Sequence, residues 1–190
     1  MIDGLTLELG HGKSGVPEKS KKVATDLDLN SLAQSPEDLR AIVDATKTFP
    51  YADNTFTNIV CRLPMKDLLL VLGQPEHQIW SEIHRVLKPG GMFDILADTS
   101  PTGRHGYKNG QGQEIEIEDA PDLIRTALKA NCGPARPKLF SNFKSYQVPR
   151  DWVAVRYPTP SVAAVLKDSR ARFFRMTATK SRGLVHEVEP

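Results

Sequence analysis

Three short segments combine residue types that can hold a small ligand: Glu8 with Gly10, Gly12 and Gly15; Asp26 and Asp28; and Asp44-Ala45. Glycines let a backbone approach a ligand closely, because a Cβ at the same place would collide with it. A carboxylate ending one strand can accept two hydrogen bonds from a ribose diol, and a carboxylate after the next can accept from an adenine amino group. Gly10, Gly12 and Gly15 satisfy a literal GxGxxG, so a nicotinamide cofactor has to be weighed beside an ordinary tight turn. Lys13-Ser14 does not complete a phosphate-binding loop, since no GK[ST] closes a GxxxxGK[ST] pattern. His11 lies between motif glycines and reads as a lining residue rather than a base. His105 and Tyr107 fall in the glycine-rich stretch from Ser100 to Gly112, where a group facing a second substrate is useful. His105 and Tyr107, with His11 as the weaker third, are the candidate proton-handling groups, and the catalytic residue stays unassigned. Cys61 and Cys132 form no CxxC, and no cluster has metal-ligand spacing, so no metal is expected.

Those segments need strands and turns to position them. Leu5 to Leu9 reads as a strand running into the glycines. Val23 to Leu29 alternates apolar and polar residues as a second strand, and Ala41-Ile42-Val43 forms a short third ending at Asp44. Ser35-Pro36 opens a helix between them, serine as cap and proline in the first turn. Thr55 to Leu63 holds a fourth strand. From Pro75 a helix follows, with Ile79, Ile83, Val86 and Leu87 on one face. Lys88-Pro89-Gly90-Gly91 ends it, and Met92 to Ala97 is the next strand. This alternation predicts a parallel sheet with crossovers. Ligands of such sheets bind beyond the carboxyl ends of the strands, where all three polar segments fall. Further on, Asp122 to Asn131 reads as a helix, and Lys144–Val148 and Arg172–Thr179 as strands. A proline-marked stretch from Pro149 to Pro160 separates those last two. Trp80, Trp152 and His84 read as packing or surface residues.

Composition narrows the class. The chain has 190 residues, 39% apolar and 25% charged, ordinary globular values that argue against disorder, collagen and coiled coil. A net charge of +2 does not by itself imply a polyanion partner. Residues 1–100 carry 10 Lys+Arg against 14 Asp+Glu, and residues 101–190 carry 15 against 9, so the first half is acidic and the second basic. No apolar run is long enough to span a bilayer, and no signal peptide is visible, so a cytoplasmic protein without membrane contact is expected.

Three blocks, Leu7 to Gly12, Asp44-Ala45 with Phe49 to Phe56, and Glu82 to Gly91, together resemble motifs of the class I S-adenosylmethionine-dependent methyltransferases of small-molecule type. Leu7-Glu8-Leu9-Gly10-His11-Gly12 is similar to that family's motif I. Asp44-Ala45, followed by Phe49-Pro50-Tyr51-Ala52-Asp53-Asn54-Thr55-Phe56, resembles its "DA…LPFPDNSFD" segment. Glu82 to Gly91 resembles its "E…RVLKPGG" turn. The blocks appear in the family's order. The resemblance implies an α/β, Rossmann-like, seven-stranded and mainly parallel sheet with helices on both faces. It also implies one methyltransferase-like domain over 1–190, with a cofactor half (1–98) and a substrate-side half (99–190). Glu8, Gly10, His11 and Gly12 would border the methionine part of S-adenosylmethionine. Asp28, with Leu29, would bind the ribose hydroxyls in preference to Asp26. Asp44 and Ala45 would recognise adenine, and Cys61 and Arg62 would lie beside the transferable methyl.

The chain departs from the family pattern in places. Only Val16 to Lys22 separate Gly15 from the second strand, Ser14 replaces a glycine, and Thr57 replaces the usual aspartate. The first strand begins almost at Met1, without the helices that commonly cover the cofactor, which predicts a homodimer or a helper protein over that edge. The leading expectation is methyl transfer to a small molecule or peptide. The alternatives are a degenerate domain acting as a binding partner, and, on the basic second half, a nucleic-acid methyltransferase. No Asn/Asp-Pro-Pro-aromatic motif follows the fourth strand, where the sequence is Cys61-Arg62-Leu63-Pro64.

Overall fold

The computed structural model describes residues 4–10, 22–26, 39–63, 66–99, 120–132, 139–158 and 160–181. Seven strands pair into one sheet: β1 (Thr6–Leu9), β2 (Lys22–Asp26), β3 (Leu39–Ile42), β4 (Phe56–Arg62), β5 (Leu87–Asp98), β6 (Phe140–Val148) and β7 (Phe173–Lys180). Their order is β3-β2-β1-β4-β5-β7-β6. The first five pair in parallel, whereas β7 runs antiparallel to both β5 and β6, so the sheet is mixed. The helices are α1 (Lys66–Leu72), α2 (Ile79–Val86), α3 (Ala120–Ala130), α4 (Arg150–Arg156) and α5 (Pro160–Leu166).

Strand alternation sorts the side chains onto two faces. Leu7, Leu9, Ile59, Cys61, Phe93, Ile95, Ala97, Met176 and Ala178 point to the first face. They form the main core with Leu69 and Leu72 of α1, Ile79, Trp80 and Ile83 of α2, and Ile124, Ala127 and Leu128 of α3. Trp80 sits edge-on to Phe93 at 5.9 Å and to Phe140 at 6.4 Å, the quadrupole-favoured arrangement. Leu96 and Phe173 point to the second face, where Val153 and Tyr157 from α4 and Val162 from α5 pack on them. Both faces of the sheet therefore carry helices.

Several boundaries move from their sequence positions. Helix α2 starts at Ile79 rather than Pro75, the intervening residues forming turns. Strand β5 begins at Leu87, five residues before Met92, because Leu87 still pairs with Phe56 ahead of an irregularity between Phe56 and Asn58. Gly91 belongs there for a steric reason: a Cβ on it would lie 2.8 Å from the Lys88 carbonyl oxygen and 2.9 Å from that of Thr57. The stretch after Pro149 is not a plain connector, since it holds α4 and α5. His84 is half-buried and edge-on to Phe140 at 5.8 Å, not a surface residue. Ser35, Pro36 and the stretch 100–112 lie outside the described residues.

Candidate functional site

The strand order reverses between β1 and β4: β2 and β3 extend the sheet on one side, β4 and β5 on the other. In open α/β sheets this is where a crevice opens beyond the carboxyl ends. Leu9 pairs with Cys61 there, so the chain leaves β1 at Gly10 beside the end of β4 at Arg62. Gly10 has φ +64°, a left-handed conformation that disfavours a Cβ. A Cβ there would also stand 3.0 Å from Leu68 of α1. The turn is thus built for glycine, and the backbone rather than a side chain meets the crevice.

Glu8 behaves differently from its motif neighbours. Its carboxylate lies 2.8 Å from Lys22 Nζ, with the two side chains 4% and 1% exposed. The Thr25 hydroxyl donates to its carbonyl oxygen at 2.6 Å, tying β1 to β2. The acidic group of the motif is therefore engaged inside the sheet by a lysine that the sequence did not mark. At the end of β2 the last strand residue is Asp26, whose carbonyl oxygen accepts from the Val43 N–H at 3.3 Å. Asp28 and Leu29 lie outside the described residues, as do His11, Gly12, His105 and Tyr107.

Asp44 follows β3 and makes a tight local turn. Its Oδ1 accepts from the Thr46 hydroxyl at 2.6 Å and the Thr46 N–H at 2.9 Å, and Oδ2 lies 3.4 Å from Lys47 Nζ. The Thr46 hydroxyl, then its N–H, holds the Asp44 carboxyl below the usual carboxylate range. Ala45 packs against the main core. This strand end therefore presents an oriented, ionised acceptor.

Cys61 and Arg62, neighbours in sequence, face opposite sides. The Cys61 thiol is wholly buried in the main core, and burial raises its pKa, so it is a neutral packing group. Arg62 points to the second face. Its Nη1 lies 3.4 Å from Asp94 Oδ2, and its guanidinium stands 5.2 Å from the centre of the Tyr157 ring. Arg175 of β7 grips the same carboxylate with Nε at 3.0 Å and Nη2 at 2.9 Å, and donates to the Tyr146 hydroxyl at 3.3 Å. Its guanidinium is 5.8 Å from the Trp152 ring centre. Sequence reading did not mark Asp94, Tyr146 and Tyr157, and took Arg175 only as part of the basic second half, because these residues come from distant elements that only the sheet order brings together.

Among the described residues no group of three or more metal-ligating side chains occurs, and no helix is long and apolar enough to cross a membrane. Residues 7–95 match a family model described as "Methyltransferase domain", from β1 into β5. No curated protein matches the sequence significantly. Solved structures match in fold. A 16S rRNA methyltransferase, KamB, aligns with TM-score 0.62 and 19% identity over 94% of this chain and 88% of its own. The geranyl diphosphate C-methyltransferase of Streptomyces coelicolor gives 0.57 and 13%, over 94% and 73%. Phosphoethanolamine N-methyltransferase 2 of Haemonchus contortus, solved with S-adenosylmethionine, gives 0.56 and 15% over 94% of this chain. This chain spans only 49% of that enzyme's length. Residues 7–95 are thus similar to a methyltransferase domain, and the described sheet shares its fold with these solved methyltransferases.

Proposed function

We propose that the protein transfers a methyl group from S-adenosylmethionine to a small-molecule or peptide acceptor. The observation that carries this reading is the left-handed Gly10 turn at the reversal point of the sheet, beside the end of β4. The residues described there suit the cofactor: a Cβ-free turn at β1 and an oriented carboxylate at Asp44. In this reading Gly10, His11 and Gly12 border the methionine part, Asp28 and Leu29 the ribose, and Asp44 with Ala45 the adenine. Glu8 acts from within the sheet, by fixing β1 against β2 through Lys22. Cys61 contributes through its backbone and Arg62 through its position at the end of β4.

The bound cofactor supplies an electrophilic methyl on a sulfonium, so the chain's task is alignment and exclusion of water. A carboxylate or thiolate acceptor needs no base, whereas a hydroxyl or ammonium must lose a proton at some stage. His105 and Tyr107 are the proposed groups for that proton.

Calorimetric titration with S-adenosylmethionine and S-adenosylhomocysteine tests the reading. Saturable binding of both is expected; silence from both at millimolar concentration moves the protein to the alternative of a degenerate domain acting by association. Asp28→Ala is expected to weaken binding by about 1.5–3 kcal/mol, the worth of hydrogen bonds to a charged group, and Asp26→Ala by much less. The reverse order would move the ribose site to Asp26, the carboxylate at the end of β2. A nucleic-acid acceptor is the second reading, favoured by the basic second half and by the likeness to a 16S rRNA methyltransferase.

A further inference from the structure

The Asp44 carboxylate is held by one oxygen and left open at the other. Oδ1 accepts the Thr46 hydroxyl at 2.6 Å and the Thr46 N–H at 2.9 Å, which together fill its two lone pairs. Among the described residues Oδ2 has only Lys47 Nζ, at 3.4 Å, on a side chain that is 76% exposed. An ion pair that exposed is weak and easily displaced. The Asp44 side chain is itself 26% exposed, so Oδ2 keeps its capacity for a donor from outside the chain.

Thr46 is fixed in its turn by other elements. Its carbonyl oxygen accepts from Gln78 Nε2 at 2.6 Å, and Gln78 is the residue that precedes α2. The Lys47 N–H closes the turn on the Asp44 carbonyl oxygen at 3.0 Å, and Ala45 packs on the main core. One residue earlier, the buried Val43 donates its N–H to the Asp26 carbonyl oxygen at 3.3 Å. The clamp on Asp44 is thus anchored to β2, to α2 and to the core.

We infer that Thr46 is a positioning residue: by filling Oδ1 it leaves Asp44 Oδ2 as a single fixed acceptor, which selects adenine over a purine with a 6-oxo group. The inference rests on the methyl-transfer reading, in which Asp44 meets the adenine of S-adenosylmethionine. Adenine offers donors on its exocyclic amino group, whereas a 6-oxo purine offers an acceptor there and a donor on the neighbouring ring nitrogen. Rotation of an aspartate about χ2 is soft, so an unclamped carboxylate can turn from the first position to the second. A clamped one cannot follow. The discrimination therefore comes from Thr46, and the negative charge alone does not supply it.

Calorimetric titration of the full chain with S-adenosylhomocysteine and with S-inosylhomocysteine, its 6-oxo counterpart, tests this. A carbon-detected NMR titration of the Asp44 carboxyl in the unliganded chain accompanies it. Wild type is expected to prefer the adenine compound by about tenfold or more, the worth of a hydrogen bond to a charged group. Thr46→Val loses the hydroxyl and keeps the N–H. It is expected to cut that preference by about threefold or more and to move the Asp44 carboxyl up toward the usual range. Thr46→Ser keeps the hydroxyl and should match wild type in both measurements. Gln78→Ala loosens Thr46 without touching the carboxylate and should fall between wild type and Thr46→Val, which keeps the test decisive if Thr46→Val does not fold. An unchanged preference in Thr46→Val, or in Gln78→Ala where it stands in, with S-adenosylhomocysteine still bound, overturns the positioning role alone. An Asp44 carboxyl that titrates alike in wild type and Thr46→Val overturns the clamp itself. Silence of wild type toward both compounds overturns the methyl-transfer reading, and with it the assignment of the clamp to adenine.

Discussion

Arg85 shows how much one side chain can hold. Its guanidinium donates to both Glu82 oxygens, to the carbonyl oxygens of Phe49 and Tyr51, and to Asp53 Oδ1, all between 2.7 and 3.0 Å. Glu82 also accepts from the Phe49 N–H at 2.7 Å. The two residues that stood out in the "E…RVLKPGG" block therefore clamp the loop before β4, whose own residues form the other recognisable block. Arg85, then Phe49, favours the ionised form of Glu82 and lowers its pKa. Arg85→Met is expected to destabilise the fold by about 2–4 kcal/mol, as breaking a part-buried network does, measured by urea denaturation. A loss below about 0.5 kcal/mol would mean the loop holds without its clamp. Inside the same loop, the Tyr51 hydroxyl is buried with no hydrogen-bond partner among the described residues, and burial raises its pKa. Deleting an unsatisfied buried hydroxyl removes a desolvation cost, so Tyr51→Phe is expected to gain about 1 kcal/mol in the same assay. A loss of similar size would reveal a partner for the hydroxyl.

Among the elements, α2 depends on an imidazole at its start. The Ile79 N–H donates to His77 Nδ1 at 3.1 Å, which requires that nitrogen to be unprotonated. Burial lowers the His77 pKa below its ordinary 6.5, and burial together with Lys180 does the same to His84. The folded state thus binds these protons less readily than the unfolded chain. Stability is full above about pH 6.5 and is lost as pH falls through that value toward the lower folded-state pKa. Thermal melts at pH 7.5 and 5.5 should show the drop, and His77→Gln should make it smaller; an unchanged drop would assign it elsewhere. The period of α2 was legible because its apolar residues repeat on one face of a helix. Helices α4 and α5 were not, since each spans one or two turns and begins beside a proline that reads as a breaker. Pro149 in fact caps α4, and Pro160 opens α5, where a missing N–H costs nothing. Arg150 then fastens α4 to the end of α5 and the turn before β7, donating to the carbonyl oxygens of Leu166, Asp168 and Ala171, partners no local pattern could announce.

The strand order also arranges charge across the whole molecule. Strands β1–β5 carry Glu8, Asp26, Asp94 and Asp98 against Lys22, Arg40, Arg62 and Lys88, whereas β6 and β7 carry Lys144, Arg175 and Lys180 and no acid, so the sheet runs from a balanced side to a basic one. Such a gradient could serve a polyanion, yet several of the basic groups on that side have protein partners. Arg175 is bound by Asp94, Arg150 by three carbonyl oxygens, and Lys180 by Asn54 Oδ1 and the Leu87 carbonyl oxygen, each at 2.8 Å. Groups engaged in this way contribute little to phosphate-backbone contacts, whose strength comes from releasing counterions held by a row of accessible cations. A small acceptor therefore suits this distribution better than a long nucleic acid. Electrophoretic mobility of a structured RNA with the full chain, at about 50 mM and 200 mM salt, is expected to show no complex at either. A complex at the lower salt that weakens by about 1,000-fold or more at the higher is the signature of many phosphate contacts, and it would make nucleic acid the acceptor class. A complex insensitive to salt would point the same way by another route, through stacking or base contacts, and would equally overturn the small-acceptor reading.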